Sequence, residues 1–136
     1  MLWNPEIISL DNFIYSNQAI TTHYEIIGSR EEGFITNIYG PHIITQKMEL
    51  LNNIKCLGED LSQRNWIIGG DFNMITNLNE KKGGIHRQSR DSEEFAKLIE
   101  ELNLIDIEIQ NGKFAWNNKQ GGDKQITSKL DKFILS

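Results

Sequence analysis

Apolar and polar positions alternate from Ile20 to Ile27, with Ile20, Thr22, Tyr24 and Ile26 on one side and Thr21, His23, Glu25 and Ile27 on the other. A period of two marks a strand half buried against a second layer. A turn over Gly28 to Gly33 leads into Phe34 to Tyr39, a further strand that Gly40-Pro41 ends. The period then lengthens. Ile44, Met48, Leu51, Ile54 and Leu57 recur every three to four residues, which predicts a helix with one face on the sheet. Trp66 to Gly70 reads as an interior strand closed by turn-forming residues. Beyond a glycine-containing loop, Asp91 as a cap with Glu94 three residues on predicts a second helix, with Phe95, Leu98, Ile99 and Leu102 as its inward stripe. Short strands are expected near Leu104 to Ile109, Phe114 to Asn117 and Ile126 to Leu135. This order of elements suits an α/β architecture with helices flanking a sheet.

One tetrapeptide carries candidate chemistry. Gly70-Asp71-Phe72-Asn73 follows directly on Trp66-Ile67-Ile68-Gly69, so a carboxylate and a carboxamide stand where a buried strand emerges. In layered α/β proteins that end commonly borders a pocket. Asp71 could take a proton from an attacking water or help hold a divalent cation. Asn73, both donor and acceptor, could grip a phosphoryl oxygen. The same residues could instead form an Asx-turn that bonds only the local backbone, and four residues do not choose between the two.

Composition narrows the setting. With 38% hydrophobic and 24% charged residues over 136 positions, the chain suits one globular domain. No run of about 18 apolar residues occurs, and Met1-Leu2-Trp3-Asn4-Pro5-Glu6 is no secretory leader, so neither a membrane partner nor secretion is expected. A single cysteine, Cys56, excludes an intrachain disulfide and fits a reducing intracellular compartment, cytoplasm or nucleus. Its helical setting suggests core packing. The net charge of -5 argues against a generic nucleic-acid coat, whose affinity comes from neutralising phosphates. It does not argue against a metal-dependent nuclease, which gathers carboxylates at its centre. Lys81-Lys82, His86, Arg87 and Arg90 form a basic loop that could follow a DNA backbone or simply be solvated.

Several segments in order carry a resemblance: Phe34-Ile35-Thr36-Asn37-Ile38-Tyr39-Gly40-Pro41, the Gly70-Asp71-Phe72-Asn73 turn, Glu80-Lys81-Lys82-Gly83-Gly84, Leu104-Ile105-Asp106, Phe114-Ala115-Trp116-Asn117-Asn118 and Lys129-Leu130-Asp131-Lys132-Phe133-Ile134-Leu135. Together they resemble the endonuclease/exonuclease/phosphatase superfamily, specifically the apurinic-type endonuclease domain of plant LINE-type non-LTR retrotransposons. The resemblance implies a DNase I-like four-layer α/β sandwich, here partial and short of its N-terminal and C-terminal strands. It also implies a magnesium ion, DNA as partner, no small-molecule cofactor, and in-line attack of water on a DNA phosphodiester that leaves a nick.

Carried over by motif, Asp71 matches the aspartate that acts in proton transfer near the metal. Asn73 matches the asparagine that orients nucleophile and phosphate; with Asp71 it is the candidate metal site. Tyr39 matches the tyrosine whose hydroxyl reaches the scissile phosphate, against a plain role as a core-edge tyrosine. Asp131 matches the aspartate that holds a catalytic histidine in its useful tautomer. Trp116 matches an aromatic that packs beneath the site rather than stacking on a base. Lys129 departs from the arginine usual before Leu-Asp, which puts a bidentate contact in doubt. The family's metal-binding Glu and its closing Ser-Asp-His strand have no counterpart among these residues. His23, His42 and His86 are expected in surface or structural roles. The expectation is therefore an impaired fragment of a magnesium-dependent endonuclease. The alternatives are a phosphoesterase of the same superfamily, or a non-catalytic module that binds nucleic acid or protein.

Overall fold

A computed structural model of the chain describes residues 4–75, 81–82, 89–107, 116–117, 127–128 and 131–136. Along these run β1 (Ile8–Tyr15), β2 (Ala19–Ile26), β3 (Glu32–Tyr39), α1 (Ile44–Asp60), β4 (Trp66–Asp71), β5 (Lys81–Lys82), α2 (Arg90–Glu101), β6 (Ile105–Ile107), β7 (Trp116–Asn117), β8 (Thr127–Ser128) and β9 (Asp131–Leu135). Strands β1, β2, β3, β4, β9 and β6 lie side by side in that order, and β5, β8 and β7 form a smaller antiparallel sheet. The first three strands are an antiparallel meander. Strand β4 then runs parallel to β3, a pairing that needs a long crossover, and α1 supplies it. Strand β9 returns antiparallel between β4 and β6.

The period of two assigns the faces. Ile38 of β3, Trp66 and Ile68 of β4 and Ile134 of β9 point one way and form the core with Leu50, Leu51 and Ile54 of α1 and Phe95 and Leu98 of α2. Each such side chain, fully buried, contributes about 1.5–3 kcal/mol relative to exposure. Polar atoms within this layer are mostly paired. The Thr21 and Thr36 hydroxyls lie 2.9 Å apart, and the Trp66 indole N–H donates to Thr36 Oγ1 at 2.9 Å. Residues out of phase with this set face the other way, where Ile35, Ile67 and Leu135 are half-buried and Ile20, Ile105, Ile107 and Phe133 are exposed. The sheet thus carries helices on one face and an apolar surface on the other.

Three expectations need correction, and one strand goes beyond them. Strand β1 is not evident from periodicity, because Asp11 and Asn12 interrupt its apolar positions and its pairing with β2 shifts register between Asp11 and Ile14. Cys56 is exposed rather than packed: it falls between the inward positions Ile54 and Gly58 of α1, on another side of the helix. At the start of that helix Ile44 is also exposed, and the fully buried position is Leu50. In α2 the capping position is Ser89, and Asp91 sits inside the first turn. There its carboxylate accepts from Ser89 Oγ at 2.5 Å and from Lys47 Nζ at 3.1 Å, which braces α2 against α1. Burial by itself would raise the Asp91 pKa, but the Ser89 and Lys47 contacts outweigh it and hold the group below the ordinary carboxylate value. Leu2-Trp3, which by the resemblance matches an internal strand, lies outside the described residues.

Two glycines let β3 and β4 meet at their ends. Gly40 follows β3, and its N–H donates to the Asp71 carbonyl oxygen at 2.6 Å; a Cβ there would collide with the backbone of Phe72 and Asp71. Gly70 has a φ of +129°, and a Cβ there would collide with the Ile38 carbonyl. Gly40→Ala is expected to lower stability by about 1–3 kcal/mol, as forced overpacking does. Denaturant titration of both proteins checks this, and an unchanged midpoint would show that the strand ends can separate freely.

Candidate functional site

The parallel register aligns Tyr39 with Asp71, and the antiparallel register aligns Asp71 with Asp131. Three of the four candidate residues, far apart in sequence, therefore occupy one rung across three neighbouring strands. Neighbouring strands lie roughly 4.8 Å apart, so the rung spans about 10 Å. It falls at the end of β3 and of β4 and at the start of β9. Tyr39 is 74% exposed, which rules out the core-edge role and leaves its ring open to solvent.

Asn73, the fourth candidate, is folded back against the same place. Its backbone is left-handed, with φ of +51°, a conformation that asparagine tolerates better than most residues. Its N–H donates to Asp71 Oδ1 at 2.9 Å, which is the Asx-turn, and its Nδ2 donates to the Gly40 carbonyl oxygen. Both readings of the tetrapeptide are thus compatible. The local bonds use one carboxylate oxygen and the carboxamide nitrogen. The other Asp71 oxygen and Asn73 Oδ1 have no hydrogen-bond partner among the described residues. A carboxylate and a carboxamide oxygen suit a hard cation such as Mg²⁺, which takes oxygen ligands and completes its shell with waters or phosphate.

Behind this rung the sequence hid a buried cation. Lys132 is aligned with Gly70, its side chain is inaccessible to solvent, and its Nζ lies 3.2 Å from Asp106 Oδ2 and 6.0 Å from the centre of the Phe95 ring. The pair ties β9 to β6 directly behind Asp131. The available signal was the strict alternation of Lys132 and Ile134 with Phe133 and Leu135, which places the lysine on the core side. Phe72, between Asp71 and Asn73, stacks on Phe95 with ring centres 5.0 Å apart and anchors the turn to α2.

His23 lies away from the rung. His23 faces the helix side of β2 and is aligned with Phe34, five residues before Tyr39, or roughly 16 Å along the strand. Its Nδ1 is 2.7 Å from Asp11 and its Nε2 is 3.0 Å from Glu32, so it clamps β1 and β3 to β2. With Glu25 and Asp11 it makes, among the described residues, the one group of three side chains whose ligand atoms lie within 4.8 Å of one another. That group is on the opposite face from the rung. His42 is exposed just past Pro41, and His86, Arg87, Lys129 and Phe114 lie outside the described residues, as does most of the basic loop. For Lys81, Lys82 and Trp116 the structure describes the strand pairing, in the small sheet.

Neither protein-family models nor curated proteins match the sequence. Solved structures do match the fold. The endonuclease domain of TRAS1, a telomere-specific non-LTR retrotransposon, aligns with a TM-score of 0.68 and 19% identity over 93% of this chain and 56% of that one. An endonuclease/exonuclease/phosphatase family protein from Bacteroides thetaiotaomicron aligns at 0.64 and 13% identity over 98% of this chain and 53% of that one. The human Nocturnin catalytic domain aligns at 0.55 and 18% identity over 96% and 48%. The chain therefore has the DNase I-like α/β fold and spans about half the length of the structures it matches.

Two outcomes follow from this geometry. Asn73→Gly keeps the left-handed backbone and loses only the bond to Gly40, whereas Asn73→Ala loses both, so alanine is expected to cost about 1 kcal/mol more in unfolding free energy. Equal losses would mean that the backbone conformation is not demanding. Hydrogen bonding to Asp11 raises the His23 pKa above 6.5 against the opposing effect of burial, and Glu32 adds to the rise. A pKa raised on folding stabilises fully below about 6.5 and ceases to stabilise as pH climbs through the raised value. The melting temperature is thus expected to fall from pH 6 to pH 8.5, and less so in His23→Gln; an identical slope in both would show that His23 is not the titrating group.

Proposed function

We propose that this chain carries part of the phosphodiester site of a magnesium-dependent DNA endonuclease of the endonuclease/exonuclease/phosphatase type, of retroelement origin, and that these 136 residues alone turn over poorly. The observation that supports this reading is the single rung of Tyr39, Asp71 and Asp131 with Asn73 folded against it. The likeness to a retrotransposon endonuclease domain supports the choice of DNA as substrate and of a retroelement as origin.

In this reading Tyr39 offers its hydroxyl to a non-bridging phosphate oxygen, where a phenol donates well to an anion. Asp71 holds ready, for the proton of an attacking water, the oxygen that has no partner among the described residues. Asn73, fixed by its bond to Gly40, would use Oδ1 to keep nucleophile and phosphate aligned. Asp71 and Asn73 would hold Mg²⁺, which when bound supplies Lewis-acid polarisation of the phosphate and a more acidic water. Asp131 stands where it could orient a histidine, but His23 is engaged with Asp11 and Glu32 on the other face. A general acid or base typically contributes about 10²–10⁴-fold and a metal several kcal/mol, so lacking the family's Glu and His should lower turnover by roughly 10⁴-fold or more.

Nicking of supercoiled plasmid tests this directly, with Mg²⁺, with EDTA, and with Asp71→Ala as control. The expected result is no magnesium-dependent nicking above the Asp71→Ala background from protein shown to be folded by circular dichroism. Nicking that needs both magnesium and Asp71 would mean that other residues of this chain replace the Glu and His, and that these residues are a working enzyme.

A further inference from the structure

His23 and Glu25 stand two residues apart on β2, so both side chains leave the same face, and the β1–β2 register sets Asp11 directly opposite His23. One imidazole and two carboxylates thus converge at a place the rung does not use. We propose that Asp11, His23 and Glu25 are the ligands of a zinc-class divalent cation, at a site separate from the rung, and that this ion fastens the edge strand β1 to β2.

The ligand atoms of the three residues already lie within 4.8 Å of one another. A tetrahedral Zn²⁺ with bonds of about 2.0–2.2 Å holds its donors about 3.4 Å apart. Asp11 and Glu25 are both exposed, so rotation of their side chains closes the difference. His23 is the fixed member: its side chain is 12% exposed, and its ring centre lies 5.2 Å from that of Phe34. One nitrogen and two carboxylate oxygens, with water in the fourth position, suit zinc and its neighbours in the first transition row. They suit Mg²⁺ poorly, since that ion prefers oxygen alone. The rung offers oxygen only and has the opposite preference.

The two sides of the imidazole point to the same occupant. His23 Nδ1 lies 2.7 Å from Asp11 and Nε2 lies 3.0 Å from Glu32. A neutral imidazole carries one N–H and one lone pair, so only one of these contacts can be a hydrogen bond. In the other, a lone pair faces an anion. A cation removes that conflict, either as a second proton on the ring or as a metal ion at Nδ1. With the metal at Nδ1, Nε2–H donates to Glu32, and an outer carboxylate then orients the ring and makes it a better ligand. Arg64 Nη1, 3.6 Å from Glu32, holds that carboxylate in the outer position. Among the described residues Glu25 has no hydrogen bond or ion pair, so its carboxylate is left for the ion. Asp11 is the last paired residue before the β1–β2 register shifts, so the ion secures the edge strand beside its break.

Titration of the chain with Co²⁺, followed by its visible absorbance and then displaced by Zn²⁺, tests the proposal at mildly alkaline pH, where protons compete least for the ligands. One equivalent is expected to bind with the intense bands of a four-coordinate ion. Glu25→Gln should weaken binding at least tenfold with circular dichroism unchanged, because Glu25 supports no other contact among the described residues. His23→Gln should abolish the bands. Asp71→Ala and Cys56→Ser should leave them as they are, since neither residue belongs to this group. Excess Zn²⁺ is also expected to raise the melting temperature of the original chain, and not of Glu25→Gln, as an ion that binds only the folded state does. No saturable binding up to millimolar Co²⁺ overturns the proposal. Binding that survives Glu25→Gln at full strength, or that Asp71→Ala or Cys56→Ser removes, places the ion elsewhere and overturns it equally.

Discussion

The close approach of β3 and β4 at their ends is the constraint on which the candidate site depends. Gly40 donates to the Asp71 carbonyl, Asn73 donates back to the Gly40 carbonyl, and Gly70 lets the chain pass the Ile38 carbonyl where no side chain fits. These contacts hold the parallel register that puts Tyr39 beside Asp71. A slip of one residue would turn every side chain of β4 to the other face, sending Asp71 into the helix layer and Ile68 into solvent. Register here is a packing requirement, and the proposed site depends on it as well.

The opposite side of the rung is held by β9. Its residues alternate between duties: Lys132 and Ile134 enter the core, Phe133 and Leu135 take the open face, and Asp131 comes into line with Asp71. An ammonium group in a core is costly unless it is paired, and Asp106 on β6 meets it. The edge strand β6 is therefore joined to the sheet by an ion pair as well as by its short ladder with β9. At the other edge, β1 is held by the His23 clamp to Asp11 in addition to its backbone ladder. Both sheet margins thus use charged side-chain contacts facing the helix side, which keeps the open face almost free of charge.

In the proposed reading, the turn after β4 makes a local structural motif and a chemical site one object. An Asx-turn consumes one Asp71 oxygen, and Asn73 beside it adopts a left-handed conformation; in the proposed site the remaining oxygens of the two side chains are those left for a cation. Preorganised groups lose little freedom when a substrate arrives, so a rigid turn would serve the proposed chemistry better than a mobile loop. Phe72, buried between them against Phe95, keeps the turn from shifting.

The sequence by itself determined the elements whose hydrophobic period is clean: β2, β3, α1, β4 and α2 follow from spacings of two and of three to four. Asp71 and Asn73 were also visible in one dimension, as turn-forming polar residues at the end of an apolar run, whereas Tyr39 and Asp131 became candidates through the family resemblance of their motifs. Strand β1, broken by Asp11-Asn12, was not legible, since its pairing depends on a register shift that only a neighbouring strand can define. Nor was the burial of Lys132 or the exposure of Cys56, as burial depends on what packs opposite. Only the tertiary structure decided that Tyr39, Asp71 and Asp131 share one rung. Their order along the chain leaves the partners of each strand open, and it is the α1 crossover and the return of β9 that bring residues 39, 71 and 131 together.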